Sequence, residues 1–409
     1  MKRAIKEVIQ MNKCKQVVSF FAASALSVLA TGVTAGPNGD RPDARHAWAV
    51  HDDNRPNPVE ISAEEGQIPS DAIVLFDGTQ KSVEEHWCDK NGGPTKWVVK
   101  NGLFCCVPKS GMVYAKDKVA DCQLHVEFMV PNPPGEGLGN TGVYVHGLYE
   151  LQILHSFHNT DMYHPIPPWK HANYADGQCG AIYGQNPPIV NACRDAGKWQ
   201  TYDVVFHPAV WDGDTLVEPA TITAFLNDVL IQDHWKLEGP TFYIRRTEHD
   251  PKSETEFNSA VALQDHGNPC PYRLIWVRPI PSRRANTVHG GEYFNSADAE
   301  TLRGRLASKT LANAHAAENP ASRLVWLWES YKYRADESVM KEIEEFTPKY
   351  IARISAWKGE VDPELRQELS NMSGFVDMGV RCDMFTTETP LYKAVKSALR
   401  ATKSAVKHY

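Results

Sequence analysis

Between residues 71 and 281 apolar side chains recur at every second position, in short runs broken by turn residues. Period two marks strands with one buried face and one open face. Residues 123–130 alternate Leu124, Val126 and Phe128 with Gln123, His125 and Glu127. Residues 139–153, GNTGVYVHGLYELQI, do this twice. Val143 and Val145 alternate with Tyr144 and His146; after a turn at Gly147-Leu148, Leu151 and Ile153 alternate with Glu150 and Gln152. That pattern predicts a β-hairpin with one apolar and one polar face. Further strands are predicted at 72–76, 96–99, 103–107, 181–183, 199–207, 221–226, 229–232, 260–264 and 272–277, with turns at Asn101-Gly102 and Asn227-Asp228. No helical run is read among them, so a mainly β fold, a two-sheet sandwich or jelly roll, is expected.

Beyond about residue 295 the period changes to 3.6, and helices are predicted at 297–316, 320–334, 337–357, 362–371 and 390–407. Asn319-Pro320, Asp362-Pro363 and Thr389-Pro390 each pair a capping residue with a proline at the first helical position. The β region is therefore followed by an α-helical C-terminal domain, within residues 282–409, that carries no catalytic motif. Lys393, Lys396, Arg400, Lys403 and Lys407 make the last helix basic, but they are dispersed, as on a solvated face. A protein partner for this domain is left open.

The N-terminus reads as an export signal. Lys2, Arg3, Lys6, Lys13 and Lys15 precede an apolar stretch at 17–29, and Val33-Thr34-Ala35 offers a cleavage site after residue 35. The apolar stretch is too short for a membrane anchor, and no integral membrane segment is expected after cleavage. A periplasmic or secreted location follows as an expectation. Residues 36–70, rich in Pro, Asp and Asn, read as an extended arm, with Trp48 and Val50 available to dock it. Eight cysteines follow the signal, seven of them between residues 88 and 270, so disulfides within the β domain are expected. A formal charge of -7 argues against nucleic acid as a partner.

Ordinary solvated strand faces carry Lys, Thr and Ser. The polar face here carries Tyr144, His146, Glu150 and Gln152, which can transfer protons, hold a metal or grip sugar hydroxyls. The plainer reading is that Glu150 and Gln152 only pair across strands. Gln264-Asp265-His266-Gly267 ends another alternating run, with Gln264 and His266 of one parity. Asp265 would either orient the imidazole or serve the turn at Gly267. Arg273 would lie near His266 if segments 260–266 and 272–277 pair. After the hairpin, a loop with His155, His158, Tyr163, His164, Trp169 and His171 reads as a cleft rim, with Trp169 and Tyr163 suited to stacking on sugars. Convergence of these segments would make a carbohydrate site. Sandwich glycosidases need two carboxylates, and Gln152 stands where a second one would be expected.

In order along the chain, IVLFDGT, GNTGVYVHGLYELQI, CGAIYGQNPP, GKWQTYDVVF, FLNDVLI, ALQDHG and PYRLIWVRPI resemble the 3-keto-disaccharide hydrolase family over residues 71–281. The resemblance implies a concanavalin-like jelly roll acting on glycosides already oxidised to a ketone at C3, by hydrolysis or elimination, outside the cytoplasm. The residues suit that chemistry. A C3 ketone acidifies the C2 proton, one base removes it, and the C1 substituent leaves. Glu150 and His266 are the expected proton-transfer pair, in either order. Arg273, or a divalent metal held by His146, Glu150 or His266, would stabilise the enolate. Tyr144, Gln152, Gln264, Asp265 and Trp169 would position the sugar. His146 stands where the family commonly has Arg, which implies changed specificity, a metal ligand or lost activity. A non-catalytic carbohydrate-binding module and an ordinary glycoside hydrolase are the competing expectations.

Overall fold

A computed structural model describes residues 39–44, 46–62, 64–134, 137–158, 174–256, 261–280, 296–357 and 362–405. The expected signal segment lies outside them. Two compact units are present: residues 57–292, and a second unit made of residues 1–56 with 293–409.

The strands of the first unit are β1 (Ile73–Phe76), β2 (Trp87–Cys88), β3 (Val98–Lys100), β4 (Leu103–Cys105), β5 (Val113–Ala115), β6 (Cys122–Met129), β7 (Thr141–Val145), β8 (Tyr149–Ile153), β9 (Trp199–His207), β10 (Val210–Asp212), β11 (Thr215–Glu218), β12 (Thr221–Leu226), β13 (Val229–Lys236), β14 (Val261–Leu263) and β15 (Pro271–Pro279). All their pairings are antiparallel. One sheet runs β13-β12-β9-β6-β15-β4-β3, with β1 also against β15; the other runs β2-β5-β14-β7-β8; β10 and β11 form a ribbon.

Alternation governs the long strands. In β6, Leu124, Val126 and Phe128 are buried, and the residues between them are half-exposed. The same holds in β9, where Tyr202, Val204 and Phe206 enter the core. Val143, Val145, Leu151, Val261 and Leu263 from the smaller sheet join them in a single apolar cluster, so the two sheets share one core. Asn101-Gly102 turns with φ of 52° and 75°, and Asn227-Asp228 with 54° and 68°. Both central residues are left-handed, as the tight hairpin turns favoured by strand twist require.

Some elements differ from expectation. Residues 181–183 form only isolated bridges, Leu151 to Ile182 and Ile182 to Asn186. They cover the outer edge of β8, whose five residues are all buried. Helix α1 (Gln80–His86) does interrupt the strands, capped by the Thr79 side chain accepting from Ser82 N–H. It has only seven residues, too few to set up a readable period. A second short helix is α2 (Pro251–Glu256).

The expected disulfides are absent: all eight described cysteines are free thiols. Most are buried as small apolar side chains with partners of their own. Cys270 Sγ donates to Met129 O at 3.1 Å, Cys179 Sγ lies 3.3 Å from Tyr202 Oη, and Cys106 Sγ donates to Asp265 at 3.3 Å.

The second unit contains α3 (Ser296–Ala316), α4 (Pro320–Tyr333), α5 (Glu337–Ser355), α6 (Pro363–Arg381) and α7 (Pro390–Ala405). The Asn319 and Asp362 side chains accept backbone N–H groups at the starts of α4 and α6. Helix α6 runs ten residues past the expected end at 371, through Gly374 and Gly379. Gly379 is needed there, because a Cβ would collide with the Phe385 ring. The N-terminal arm packs on this unit. Ala47 and Trp48 join Ala299, Leu306, Ala307 and Tyr333 in an apolar cluster, whereas Val50 stays exposed. Asp52 accepts from Tyr333 Oη at 2.7 Å and meets Lys332 Nζ at 3.4 Å, and Lys332 also reaches Glu329 at 2.7 Å. Among the described residues no helix is long and apolar enough to cross a membrane.

Candidate active site

Register on the smaller sheet assembles the site. Tyr144 of β7 lies opposite Glu150 of β8, Gly142 opposite Gln152, and Ala262 of β14 opposite Tyr144. Since Val143, Val145 and Leu151 face the core, the alternate residues face outward. Tyr144 Oη donates to Glu150 Oε2 at 2.8 Å, and Gln264 Nε2 donates to Tyr144 Oη at 3.2 Å. Gln152 Nε2 donates to Asn140 Oδ1 at 3.0 Å. Gly142 leaves the room that Glu150 occupies, because a Cβ there would collide with the carboxyl group.

A cavity of about 260 Å³ opens over this face. Asn140, Tyr144, Glu150, Gln152, Gln264 and His266 line its sheet side. Tyr174, Tyr183, Thr241 and Tyr243 close it from the loops. Its size is close to the lower end of the roughly 300–1,000 Å³ typical of small-molecule sites, which suits a single sugar ring. Gln152 Oε1 and Gln264 Oε1 are buried and have no hydrogen-bond partner among the described residues, leaving their acceptor capacity unused.

Glu150 is 3 % exposed, and burial pushes its carboxyl group up to about 7, with the Tyr144 hydrogen bond acting in the opposite direction. Near neutral pH it can therefore take up or release a proton. Burial beside Glu150 holds the Tyr144 phenol protonated, well above its ordinary range. His266 lines the same cavity and is itself exposed.

Tyr144, Glu150, Gln152, Gln264 and His266 are thus brought together, and the remaining sequence candidates are not. Arg273 is on β15, which pairs with β1, β4 and β6, whereas β14 lies between β5 and β7. β14 and β15 belong to different sheets, so the pairing that would bring Arg273 to His266 does not occur. Arg273 instead binds Glu127 and lies 4.4 Å from the centre of the Trp199 ring. His146 breaks the alternation of β7. Its φ of 56° begins the turn and sends the ring inward, 5.3 Å from Phe206, where burial lowers its pKa. It is neither a substrate residue nor a metal ligand of this cavity. Asp265 serves the turn: it accepts from Gly267 N–H at 3.0 Å and Gly111 N–H at 2.8 Å, and does not orient His266. Trp169, Tyr163, His164 and His171 lie outside the described residues. His155 of the same loop pairs with Asp195 at 3.1 Å.

Among the described residues no three His, Cys, Asp or Glu side chains converge as a metal set. Glu150 and His266 are the one carboxylate and one imidazole of the described lining, so a divalent ion would take most of its coordination from water or substrate. Sequence reasoning missed Asn140, Thr241, Tyr174, Tyr183 and Tyr243. Thr241 accepts from Glu150 N–H at 2.9 Å, and Tyr174 and Tyr183 share a 2.9 Å hydroxyl contact. The run Phe242-Tyr243-Ile244 was the available signal, since three bulky apolar residues in a turn-rich segment suggest a surface with a task.

The chain thus has two antiparallel sheets around one core, with a polar cavity lined by Glu150 and His266 on the outer face of the smaller sheet. Residues 71–278 match the 3-keto-alpha-glucoside-1,2-lyase-like domain, and the chain belongs to that family. It is therefore a carbohydrate-active protein of glycoside hydrolase or lyase type. Solved structures similar to it include two candidate glycosyl hydrolases of Parabacteroides distasonis ATCC 8503. One is 30% identical, with 55% of this chain and 93% of that chain covered and a TM-score of 0.47. The other is 15% identical, with 51% and 94% covered and a TM-score of 0.35. Alginate lyase vAL-1 from Chlorella virus is 8% identical, with 46% and 89% covered and a TM-score of 0.25. Among curated proteins, none matches the chain.

Proposed function

We propose that this chain cleaves the glycosidic bond of 3-keto-glycosides by β-elimination. Glu150 takes the proton from C2, which the neighbouring ketone acidifies. The C2–H electron pair passes into the enolate, then into a C1–C2 double bond as the C1–O bond breaks. His266 gives a proton to the departing oxygen. Water adding to the unsaturated product would complete a net hydrolysis. Tyr144, kept protonated, can turn its hydroxyl from Glu150 to the enolate oxygen once Glu150 holds the C2 proton. Gln152 and Gln264 offer acceptors to ring hydroxyls.

The observation that carries this reading is a buried carboxyl group raised to about 7 in one cavity with an imidazole. The described lining contains one carboxylate, and elimination from a keto sugar needs only one base. His266 is exposed, as suits a donor to a departing group. The two-sheet arrangement fits a concanavalin-like jelly roll, and the N-terminal segment fits export to the periplasm or beyond.

The test is incubation with a 3-keto-disaccharide and its unoxidised parent, with and without chelator, following released sugar and the ultraviolet absorbance of the conjugated enone. Release from the keto sugar alone is expected. Release from the parent alone overturns the proposal in favour of an ordinary hydrolase, and binding without release favours a lectin.

A further inference from the structure

A second cavity, of about 360 Å³, adjoins the first, and Tyr174, Tyr183 and Tyr243 line both. Its outer wall is the segment 242–246. Phe242, Tyr243 and Ile244 are 56%, 73% and 75% exposed, and Tyr174 on the facing wall is 50% exposed. Bulky apolar groups left in water around one hollow mark a surface that a ligand covers. The segment is anchored at its base. Thr241 N–H donates to Leu148 O at 2.9 Å, Glu150 N–H donates to Thr241 Oγ1 at 2.9 Å, and Thr247 Oγ1 donates to Pro240 O. Its tip is therefore presented on a braced loop, with less ordering cost on binding.

Arg245 and Arg246 also line this cavity. Neither has an ion pair or hydrogen bond among the described residues, although Asp176 contributes the one carboxylate of the lining. Two guanidinium groups against one carboxylate leave the hollow net positive. Tyrosine rings provide stacking faces for a pyranose, and a guanidinium fork matches a carboxylate or sulfate with two parallel hydrogen bonds.

We infer that this second cavity is a subsite for an anionic sugar residue, joined to the ring that occupies the Glu150 cavity. Tyr174, Tyr183 and Tyr243 straddle the linkage between the two rings, and Arg245 and Arg246 bind the anionic group. This subsite presupposes the carbohydrate reading of the first cavity and narrows its substrate class to glycosides bearing a uronate or sulfate-ester residue.

Calorimetric titration of the full chain with unoxidised disaccharides tests it without depending on catalysis. The probes are a neutral disaccharide, its counterpart with a C6 carboxylate, and its counterpart with a C6 sulfate ester. At least one anionic probe should bind tenfold or more tighter than the neutral one, with the preference shrinking as salt rises. Arg245→Gln with Arg246→Gln should abolish the preference, each single substitution should reduce it, and circular dichroism checks that the variants are folded. Equal affinities, or a preference that survives the double substitution, would overturn the subsite. Binding of none of the probes overturns the subsite, whereas the carbohydrate reading of the first cavity stands or falls on cleavage of the 3-keto-disaccharide. An arginine-dependent preference in a protein that does not cleave 3-keto-disaccharides supports the subsite while removing the proposed reaction.

Discussion

Glu150 concentrates what a single residue contributes here. Burial raises its carboxyl group from an ordinary 4.5 to about 7. The native protein therefore binds that proton more tightly than the unfolded chain does. Its contribution to stability is complete below about pH 4.5 and is lost as pH rises through 7. Glu150→Gln removes this titration. Urea unfolding should find the variant more stable than the native chain by about 1–3 kcal/mol near pH 8, with the gap closing under acid conditions. The same substitution should lower kcat/KM on a 3-keto-disaccharide at least 100-fold, within the range of a lost general base. In the native protein, kcat/KM should rise as pH passes through about 7, where Glu150 becomes able to accept a proton. Gly142 matters for the opposite reason, by having no side chain. Gly142→Ala should displace the Glu150 carboxyl group, costing roughly 1–3 kcal/mol of stability by overpacking. It should also reduce kcat/KM at least tenfold, by the steep dependence of catalysis on placement.

At the scale of elements, strand pairing decides which side chains can cooperate. The hairpin of β7 and β8 places Tyr144 opposite Glu150, and β14 adds the strand whose end carries Gln264 and His266. β14 and β15 are close in the chain yet enter separate sheets. Arg273→Ala should therefore leave kcat/KM within about threefold of the native value, because a surface group remote from the reacting atoms adds little to a transition state. A loss of 100-fold or more would refute the separation described above. The polar face of the hairpin was legible because Tyr, Glu and Gln recur with period two. His146 was misread for the same reason. Alternation holds only while the backbone stays extended, and a left-handed residue ends it. Thr241 was not legible as a site residue, since a loop has no period that says what it covers.

At the scale of the whole molecule, two units are each built around their own core, and the second contains a buried ionic cluster of Asp52, Glu329 and Lys332. Lys332→Met would leave two buried carboxylates without their cation. It should destabilise the helical unit by about 3–5 kcal/mol, read as an earlier transition in urea followed by tryptophan fluorescence. Much of the architecture follows from local rules. Alternation gave β6, β7, β8 and β9, and capping residues before Pro320, Pro363 and Pro390 marked three helix starts. Those signals act between near neighbours, where backbone geometry alone relates position to direction. What lies between segments distant in sequence was decided by packing: free thiols in place of disulfides, and the arm around Trp48 joined to the helices; so was the entry of β14 and β15, neighbours in the chain, into different sheets. The same is true of the depth at which Glu150 is buried. A carboxyl group's charge depends on how much water surrounding atoms exclude, and those atoms come from β7, β14 and two remote loops. The chain thus determines by itself where its candidate proton-transfer residues can stand, and only the assembled fold gives Glu150 a pKa near neutrality and a place in a cavity.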